Sequence, residues 1–356
     1  RDGHLYLQAP VDLTEKKGFL PFNVKIENFN LFVNFSKDSS LHQYDLISAI
    51  NGIPVSEIIY ELLPLVPSDG YAINRKYRHL ETYFPVLFVL VYGNHLKYDV
   101  EVISSKGAKQ KHTLSVNGVS IKTLGSLMKK QMEWRSFVSE SKDLAYLALP
   151  SFTSNSQPKE KTFEKYVKSK FKLFDKAGVS YLILDLRANE GGGVLNMNFT
   201  LKYLKSDTFR LFKVMELNST LLSDTLGLLS SDDLKELSSR TVYKEGKLTL
   251  VDKKLLALQI PFSKRFKGEV IILCDGGTYS SSSHLLSMLK SQSNVHIIGE
   301  ETGGSQGFSN AGFTLKAKLP NSGIRVNVPL VHGVYWGARN MQKGVVPDMV
   351  CAPDIL

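Results

Sequence analysis

The sequence predicts an α/β fold that follows a separate β-rich region. From about residue 143, strand-like and helix-like segments alternate: a strand at 144–149, an amphipathic helix at 161–176, and apolar strands at 181–185 and 269–274. Uninterrupted apolar runs of this length are typical of strands covered on both faces, as in parallel α/β sheets. Before residue 117, short segments alternate apolar and polar residues with a period of two, as strands with one exposed face do.

The composition is that of a folded globular protein and excludes two functional classes. Hydrophobic residues make up 43% of the chain and charged residues 22%, which are ordinary globular values. The formal charge is +10, but the basic residues are interspersed with acids, as in 159–165, so no nucleic-acid partner is expected. The longest strongly apolar run, 83–92, contains Pro85 and is shorter than the ~20 residues of a membrane helix. No membrane span is therefore expected.

The two cysteines, Cys274 and Cys351, lack the spacing of a metal site. We expect no metal and no cofactor. A buried thiol at Cys274, which ends an apolar strand, and a disulfide between the two residues are both compatible with the sequence.

The β-rich region contains strands at 22–26 and 31–35, a helix at 54–65 and a hairpin of 97–103 with 110–116. The helix is predicted from apolar residues spaced by three and four. The stretch DLISAINGIPVSEI at 45–58 resembles the corresponding stretch of PDZ-like modules, with Tyr44 where a glycine is usual. The resemblance implies a domain that accepts an extended peptide as an added strand, and a purely structural domain is the alternative.

A serine-rich turn follows the apolar strand 269–274 and reads DGGTYSSSSHLL, residues 275–286. Gly276 and Gly277 allow positive φ angles in a tight turn between this strand and a helix starting near Ser281. A serine at that position lies beside the unpaired N–H groups of a helix N-terminus, which favour a developing oxyanion. The alternative is that the serines only cap the helix.

A second glycine-rich turn, DLRANEGGG at 185–193, follows the apolar strand 181–185. Two such turns at the ends of adjacent strands are expected to face one site. Ordinary strand-to-helix turns and a phosphate-binding loop are the alternatives, although neither turn carries the Lys-Ser/Thr pair of a P-loop.

Four motifs together resemble one enzyme family. DLRANEGGG, GGTYSSSS, GEETGG at 299–304 and KGVVPD at 343–348 occur in the order found in C-terminal processing, or tail-specific, serine peptidases. Relatives of that family include the tricorn core peptidase and the interphotoreceptor retinoid-binding proteins. The resemblance implies a ClpP/crotonase-like α/β core.

The resemblance also assigns roles around the first serine. It implies that Ser280 is the nucleophile and that backbone N–H groups of Gly191, Gly192 and Ser281 stabilise the oxyanion. Ser282 and Ser283 are then helix-start residues.

The base that activates Ser280 is predicted to be a histidine. In the bacterial and chloroplast branch a lysine lies 25 residues after the serine, and here Ser305 occupies that position. Lys316 and Lys343 are the lysines that could replace it. The tricorn-like branch instead uses a histidine in a DGHT motif, which Asp2-Gly3-His4-Leu5 resembles, so His4 is the predicted base. His284, one helical turn beyond Ser280, is the main competitor.

A third residue should orient the imidazole. Tricorn-like relatives place a glutamate shortly before the last motif, but residues 339–344 contain no acid. Glu300, Glu301 and Asn340 are the remaining candidates, and a structural hydrogen bond at the strand end is the alternative for Glu300.

We therefore predict four regions: an N-terminal segment, 1–19, that carries His4 and lacks its upstream part; a PDZ-like domain, 20–117; a linker helix, 118–142; and the peptidase core, 143–356. The predicted function is a serine peptidase that acts on peptides or unfolded proteins. An inactive, peptidase-derived protein that binds a peptide or hydrophobic ligand is the alternative. Because relatives with these motifs are typically exported, a periplasmic or cell-surface location is expected, with the export signal upstream.

Overall fold

The computed structural model describes residues 2–8, 16–104, 106–116, 119–120, 122, 133–153, 162–217, 235, 238–310, 312, 314–338 and 342–351 of the chain. The chain divides into two units. The β-rich unit comprises 11–66, 75–132 and 353–356, and the core unit comprises 1–10, 67–74 and 133–352.

Among its described residues, the β-rich unit contains one sheet and two helices of eight residues or more. Its strands pair in the order β2-β3-β4-β6-β7, with β5 added to β4. Their bounds are β2 Phe22–Glu27, β3 Asn30–Ser36, β4 Leu46–Ile50, β5 Ile53–Pro54, β6 Lys97–Ile103 and β7 Lys109–Ser115. The helices are α1 Val55–Leu62, which continues as a 3-10 turn at Leu63–Leu65, and α2 Ile73–Tyr92.

The apolar spacing of this region explains its elements. Alternate residues of β2 (Phe22, Val24 and Ile26) are buried, and so are the apolar residues of α1. The predicted strands, helix and hairpin are thus confirmed. The apolar run 83–92 is the second half of α2, and among the described residues no helix is long and apolar enough to cross a membrane.

The core unit is built around a six-stranded sheet in the order β20-β15-β14-β10-β9-β8. All neighbours are parallel except the antiparallel pair of β8 with β9. The strands are β8 Arg135–Val138, β9 Leu144–Ala148, β10 Tyr181–Asp185, β14 Glu269–Cys274, β15 Val295–Gly299 and β20 Met349–Val350. The helices of this unit with defined bounds in the described residues are α3 Phe163–Ala177, α4 Val194–Leu201 and α5 Ser281–Leu289.

Two antiparallel sheets complete the core unit. The five-stranded sheet, in the order β12-β13-β11-β19-β16, contains β11 Phe212–Leu217, β12 Thr241–Lys244, β13 Lys247–Leu250, β16 Phe308–Ser309 and β19 Val331–Tyr335. The three-stranded sheet, in the order β1-β18-β17, contains β1 Tyr6–Gln8, β17 Thr314–Lys318 and β18 Arg325–Pro329.

The register of β10 and β14 places their ends side by side. In this parallel pair Asp185 lies opposite Leu273, and Cys274 in turn lies opposite Gly299 of β15. Since parallel strands end at the same edge of a sheet, the turns that follow β10, β14 and β15 leave from one edge.

Some predictions at this level need correction. The linker helix predicted over 118–142 does not reach its end, because Arg135–Val138 is a strand that pairs with β9; residues 123–132 lie outside the described residues. Segment 67–74 belongs to the core unit, although it falls within the predicted PDZ-like range. Cys274 and Cys351 do not form a disulfide.

A buried carboxylate anchors the end of β10. Asp185 is 8% exposed and accepts hydrogen bonds from Tyr146 Oη (2.7 Å) and from Arg187 Nε and Nη2 (3.0 and 2.7 Å). Burial alone raises the pKa of this carboxyl group, but the hydrogen bonds from Arg187 and Tyr146 outweigh it, so the pKa is lowered. Asp185 therefore stabilises the fold above the unfolded-state pKa of ~3.9, and this contribution disappears as the pH falls through the lower folded-state pKa.

We expect Asp185→Asn to lower the free energy of unfolding at pH 7 by about 1–3 kcal/mol, because it weakens hydrogen bonds to a charged group. Urea denaturation measured between pH 7 and pH 2 should show the difference from the wild type shrinking below about pH 4. Asp175→Asn, at an exposed position of α3, is the control and should change stability by less than about 0.5 kcal/mol. A loss of equal size at every pH would contradict this account.

Candidate active site

Ser280 lies at the tight turn between β14 and α5, in an unusual backbone conformation. Its φ of 54° and ψ of −123° are sparsely populated for a residue with a side chain and cost roughly 1–3 kcal/mol. The carboxylate of Asp275 holds the turn, since its Oδ1 accepts the N–H groups of Gly277 (2.9 Å) and Thr278 (3.0 Å). The same oxygen accepts the N–H of Ala188 (2.9 Å) from the turn after β10. One carboxylate thus joins the two turns.

Asn189 makes a second link between the turns. It is completely buried; its Nδ2 donates to Leu149 O (2.6 Å), and its backbone oxygen accepts the N–H of Tyr279 (3.0 Å). Its Oδ1 accepts the N–H of Gly191 at 2.8 Å. The two glycine-rich turns predicted from the sequence therefore do face one site.

Gly191 lies directly against the serine turn. Its φ is +97°, and a Cβ atom there would lie 2.9 Å from Ser280 Cβ and 3.0 Å from Ser281 N. Only a glycine leaves this space open.

The backbone N–H groups predicted to stabilise the oxyanion have different surroundings. The N–H of Gly191 is engaged by Asn189 Oδ1 in this conformation, which sequence reasoning did not foresee. The N–H of Ser281 belongs to the first turn of α5, where amides have no partner within the helix. Gly192, with a φ of +130°, accepts the Ser281 hydroxyl on its backbone oxygen at 2.8 Å. Ser281 thus contacts Gly192, the residue that follows Gly191.

His4 reaches Ser280 from the other end of the chain. Strand β1 pairs with β18, and Asn327 Nδ2 donates to the backbone oxygen of His4 at 2.8 Å. The Nε2 atom of His4 lies 3.3 Å from Ser280 Oγ, across 276 positions of sequence. The structure therefore brings together the predicted nucleophile and the predicted base.

Asp2 fixes the backbone of this segment. Its Oδ1 accepts the N–H of His4, and its Oδ2 accepts Asn310 Nδ2, both at 2.8 Å. Burial acts to raise the pKa of Asp2, but the interactions with His4 and Asn310 outweigh it, and the pKa is lowered. Asp2 Oδ1 also lies 3.5 Å from His4 Nδ1, which is longer than a good hydrogen bond.

Tyr279 contacts the side of the imidazole away from Ser280, and Asp69 lies behind Tyr279; the sequence analysis assigned neither residue a role. The hydroxyl of Tyr279 lies 3.0 Å from His4 Nδ1 and donates to Asp69 Oδ1 at 3.1 Å. Tyr279 precedes Ser280 in the motif, so its proximity was available from the sequence. Asp69 carries no local motif and lies within the range assigned to the PDZ-like domain, which is why it was missed.

The candidates for the third residue lie elsewhere. Glu300 Oε2 accepts the N–H of Gly276 (3.2 Å) and Glu301 Oε1 accepts the N–H of Gly344 (2.8 Å). Within the described part of the chain, His4 forms no hydrogen bond with either glutamate. Asn340 lies outside the described residues.

The main competing base, His284, is not at the site. His284 is buried, stacks on Tyr335 at 3.6 Å and contacts Leu211 O through Nε2 at 3.0 Å. Its burial, only partly offset by that contact, lowers the pKa of His284 to about 3, which marks it as a core residue. Lys316 and Lys343 are exposed.

The other residues of the serine run are structural. Ser283 Oγ donates to Thr278 O at 2.9 Å and accepts the N–H of Gly304 at 3.2 Å. Ser282 Oγ is buried and has no hydrogen-bond partner among the described residues.

One described group of side chains has ligand atoms close enough to hold a metal ion, namely Asp2, His4 and Asp69, within 4.8 Å of one another. Hydrogen bonds already occupy these carboxylate oxygens: Asp2 Oδ1 accepts the His4 N–H, and Asp69 Oδ1 accepts the Gly3 N–H and the Tyr279 hydroxyl. Hydrogen bonding therefore accounts for the cluster.

The chain is similar to known peptidases in sequence and in fold. The model of peptidase family S41 matches residues 143–351, more than half of the chain. Among solved structures, mature CPAF is 14% identical, with a TM-score of 0.67 over 98% of this chain and 80% of CPAF. CPAF complexed with lactacystin is also 14% identical, with a TM-score of 0.68 over 98% and 81% of the two chains.

A third solved structure, the photosystem II D1 C-terminal processing protease, is 16% identical with a TM-score of 0.44 over 96% and 74% of the two chains. No curated protein sequence matches the chain significantly. The likeness to the two CPAF structures shows the fold, and the family model shows the family relationship.

We expect Gly191→Ala to abolish labelling of the protein by a fluorophosphonate probe, because the new methyl group would displace Ser280 and the backbone around it. The control is Gly246→Ala, at a glycine with a similarly positive φ (+79°) but no atom within 4 Å of the added Cβ. Both variants carry the strain of a positive φ, so only the clash at residue 191 distinguishes them. Labelling of Gly191→Ala at the wild-type rate would contradict the geometry of the turn.

Proposed function

Because the chain belongs to peptidase family S41, we propose that it hydrolyses peptide bonds through an acyl-enzyme formed on Ser280. The observation that carries this proposal is the 3.3 Å contact between His4 Nε2 and Ser280 Oγ. A serine hydroxyl is almost fully protonated at neutral pH and needs an adjacent base to become a nucleophile. The proposed substrates are peptides and unfolded proteins.

In the first half-reaction, Ser280 Oγ attacks the carbonyl carbon of the scissile bond and its proton passes to His4 Nε2. The tetrahedral intermediate then collapses, the C–N bond breaks, and His4 returns the proton to the departing amine. In the second half-reaction a water molecule attacks the ester carbon while His4 accepts a water proton. Release of the carboxylic acid and return of that proton to Oγ restore Ser280.

We place the oxyanion in front of the Ser281 N–H, with the Gly192 N–H as the second donor. The Ser281 amide lies at the N-terminus of α5, where the helix dipole favours negative charge. The missing Cβ of Gly191 would lie 3.0 Å from Ser281 N, so the glycine keeps this space free for a substrate oxygen. Gly191 itself provides this open space. Its own N–H does not donate to the oxyanion while Asn189 Oδ1 accepts it.

The alternative, an inactive protein that binds a peptide or a hydrophobic ligand, leaves the serine–histidine contact and the strained serine turn without a role. Export to the periplasm or cell surface is proposed from the resemblance of the motifs to exported peptidases. A PDZ-like role of the β-rich unit in binding extended peptides likewise rests on the resemblance of residues 45–58.

Ser280→Ala should abolish fluorophosphonate labelling and peptide hydrolysis, because it removes the nucleophile. The thermal unfolding temperature should stay nearly unchanged. Ser282→Ala is a matched control in the same serine run, since its hydroxyl is buried without a partner among the described residues. It should retain labelling and activity. Labelling that is lost in Ser282→Ala and kept in Ser280→Ala would show that the motif is read in the wrong register, and a wild-type protein that is neither labelled nor active would favour the binding protein.

His4→Gln should reduce kcat of peptide hydrolysis by roughly 10²–10⁴-fold, the usual contribution of a general base. Lys316→Ala and Lys343→Ala should stay within about twofold of the wild type, because both lysines are exposed and neither is required as a base. Steady-state kinetics on one fluorogenic peptide compares all three variants. The assignment of the base is overturned if a lysine variant is inactive while His4→Gln retains activity.

A further inference from the structure

The imidazole of His4 is held on its far side by a chain of two further groups. The Tyr279 hydroxyl lies 3.0 Å from His4 Nδ1 and 3.1 Å from Asp69 Oδ1. Tyr279 and Asp69 are 4% and 3% exposed, so these two hydrogen-bonded side chains are shielded from water. Ser280, His4, Tyr279 and Asp69 all belong to the core unit.

The direction of each hydrogen bond follows from Asp69. Its Oδ1 accepts the Gly3 N–H at 2.8 Å and its Oδ2 accepts the Ser305 N–H at 3.3 Å. Backbone N–H groups can only donate, so both oxygens of this carboxylate act as acceptors. The hydroxyl hydrogen of Tyr279 is therefore directed to Asp69, and the phenolic oxygen presents a lone pair to His4.

The orientation of Tyr279 in turn selects the tautomer of His4. A lone pair opposite Nδ1 requires that Nδ1 carries the imidazole hydrogen. The other ring nitrogen, Nε2, is then unprotonated and faces the Ser280 hydroxyl at 3.3 Å. This is the tautomer that a general base for Ser280 needs.

The same carboxylate also fixes the position of the imidazole. Asp69 binds the backbone of Gly3, next to His4, and a Cβ atom on Gly3 would lie 2.2 Å from the Tyr279 hydroxyl. Gly70, next to Asp69, has no room for a side chain, because a Cβ atom there would lie 2.1 Å from Gln342 O. The glycine between Asp2 and His4 is thus explained by the close approach of the tyrosine.

We propose that Tyr279 and Asp69 are the positioning residues of His4: Asp69 orients the tyrosine hydroxyl, which holds His4 in the Nδ1-protonated tautomer and stabilises the imidazolium formed during acyl transfer. They take the place that an acid in direct contact with histidine has in serine triads. The hydrogen bond to a carboxylate makes the phenolic oxygen a better acceptor, as hydrogen bonds in a chain polarise one another. This inference rests on the proposed function.

The direct test is the ¹⁵N NMR spectrum of His4 in the wild-type protein labelled with ¹⁵N-histidine, with the signal assigned by its loss in His4→Gln. We expect the shifts of the Nδ1-protonated tautomer for the neutral ring in the wild type, and a shift toward the Nε2-protonated tautomer in Tyr279→Phe. A wild-type ring that is protonated on Nε2, or a tautomer unchanged in Tyr279→Phe, overturns the inference. A wild-type ring protonated on Nε2 overturns the inference even if a variant does not fold.

Kinetics provide the second readout. Tyr279→Phe and Asp69→Asn should lower kcat by about 10²-fold or more, the lower end of a general base's contribution, with little change in KM. Tyr146→Phe is the matched control, because it also removes a tyrosine hydroxyl that donates to a buried aspartate, Asp185, at 2.7 Å. It should keep kcat within about twofold.

The experiments distinguish failure of the positioning role from failure of the proposed peptidase function. If Ser280→Ala abolishes hydrolysis but Tyr279→Phe keeps the wild-type kcat, the positioning role is refuted and the peptidase stands. If the wild-type protein neither hydrolyses peptides nor reacts with the fluorophosphonate, the proposed function fails, while the NMR measurement still reports the state of His4.

Discussion

The parallel pairing of β10 with β14 is the constraint on which the site depends. It places Asp185 opposite Leu273, so that both strands end at one edge and their glycine-rich turns must share the same space. Asp275 and Asn189 then bind across the gap, through hydrogen bonds of 2.9 and 3.0 Å to the facing turn. A shift of one residue in this register would separate the serine turn from the loop that shapes its oxyanion space.

The unfavourable conformation of Ser280 is maintained by its surroundings. A residue with a side chain at positive φ costs roughly 1–3 kcal/mol, and a net intramolecular hydrogen bond contributes about 1 kcal/mol. The bonds that Asp275 and Ser283 make to the turn are enough to offset that cost. In this conformation the Ser280 hydroxyl faces His4 and does not cap the helix that follows.

The sequence indicated those parts of the site that local chemistry requires. Glycines at strand ends indicated the two turns, and the resemblance of the motifs to tail-specific peptidases indicated Ser280 and His4. The Tyr279–Asp69 chain could not be found this way, because Asp69 lies 210 residues from Tyr279 in a segment without periodicity that folds with the core unit. The engaged amide of Gly191 was equally inaccessible, since it depends on which way the Asn189 side chain turns.

The attachment of His4 to the rest of the core unit has a consequence for how activity is lost. His4 lies two residues before the three-residue strand β1, whose residues are all exposed and which, among the described residues, pairs with β18. Such short, exposed edge segments open locally at a small fraction of the free energy needed to unfold a domain. Opening of this segment would separate His4 from Ser280 without unfolding the core unit, so that the free energy that keeps the site assembled differs from the free energy of global unfolding.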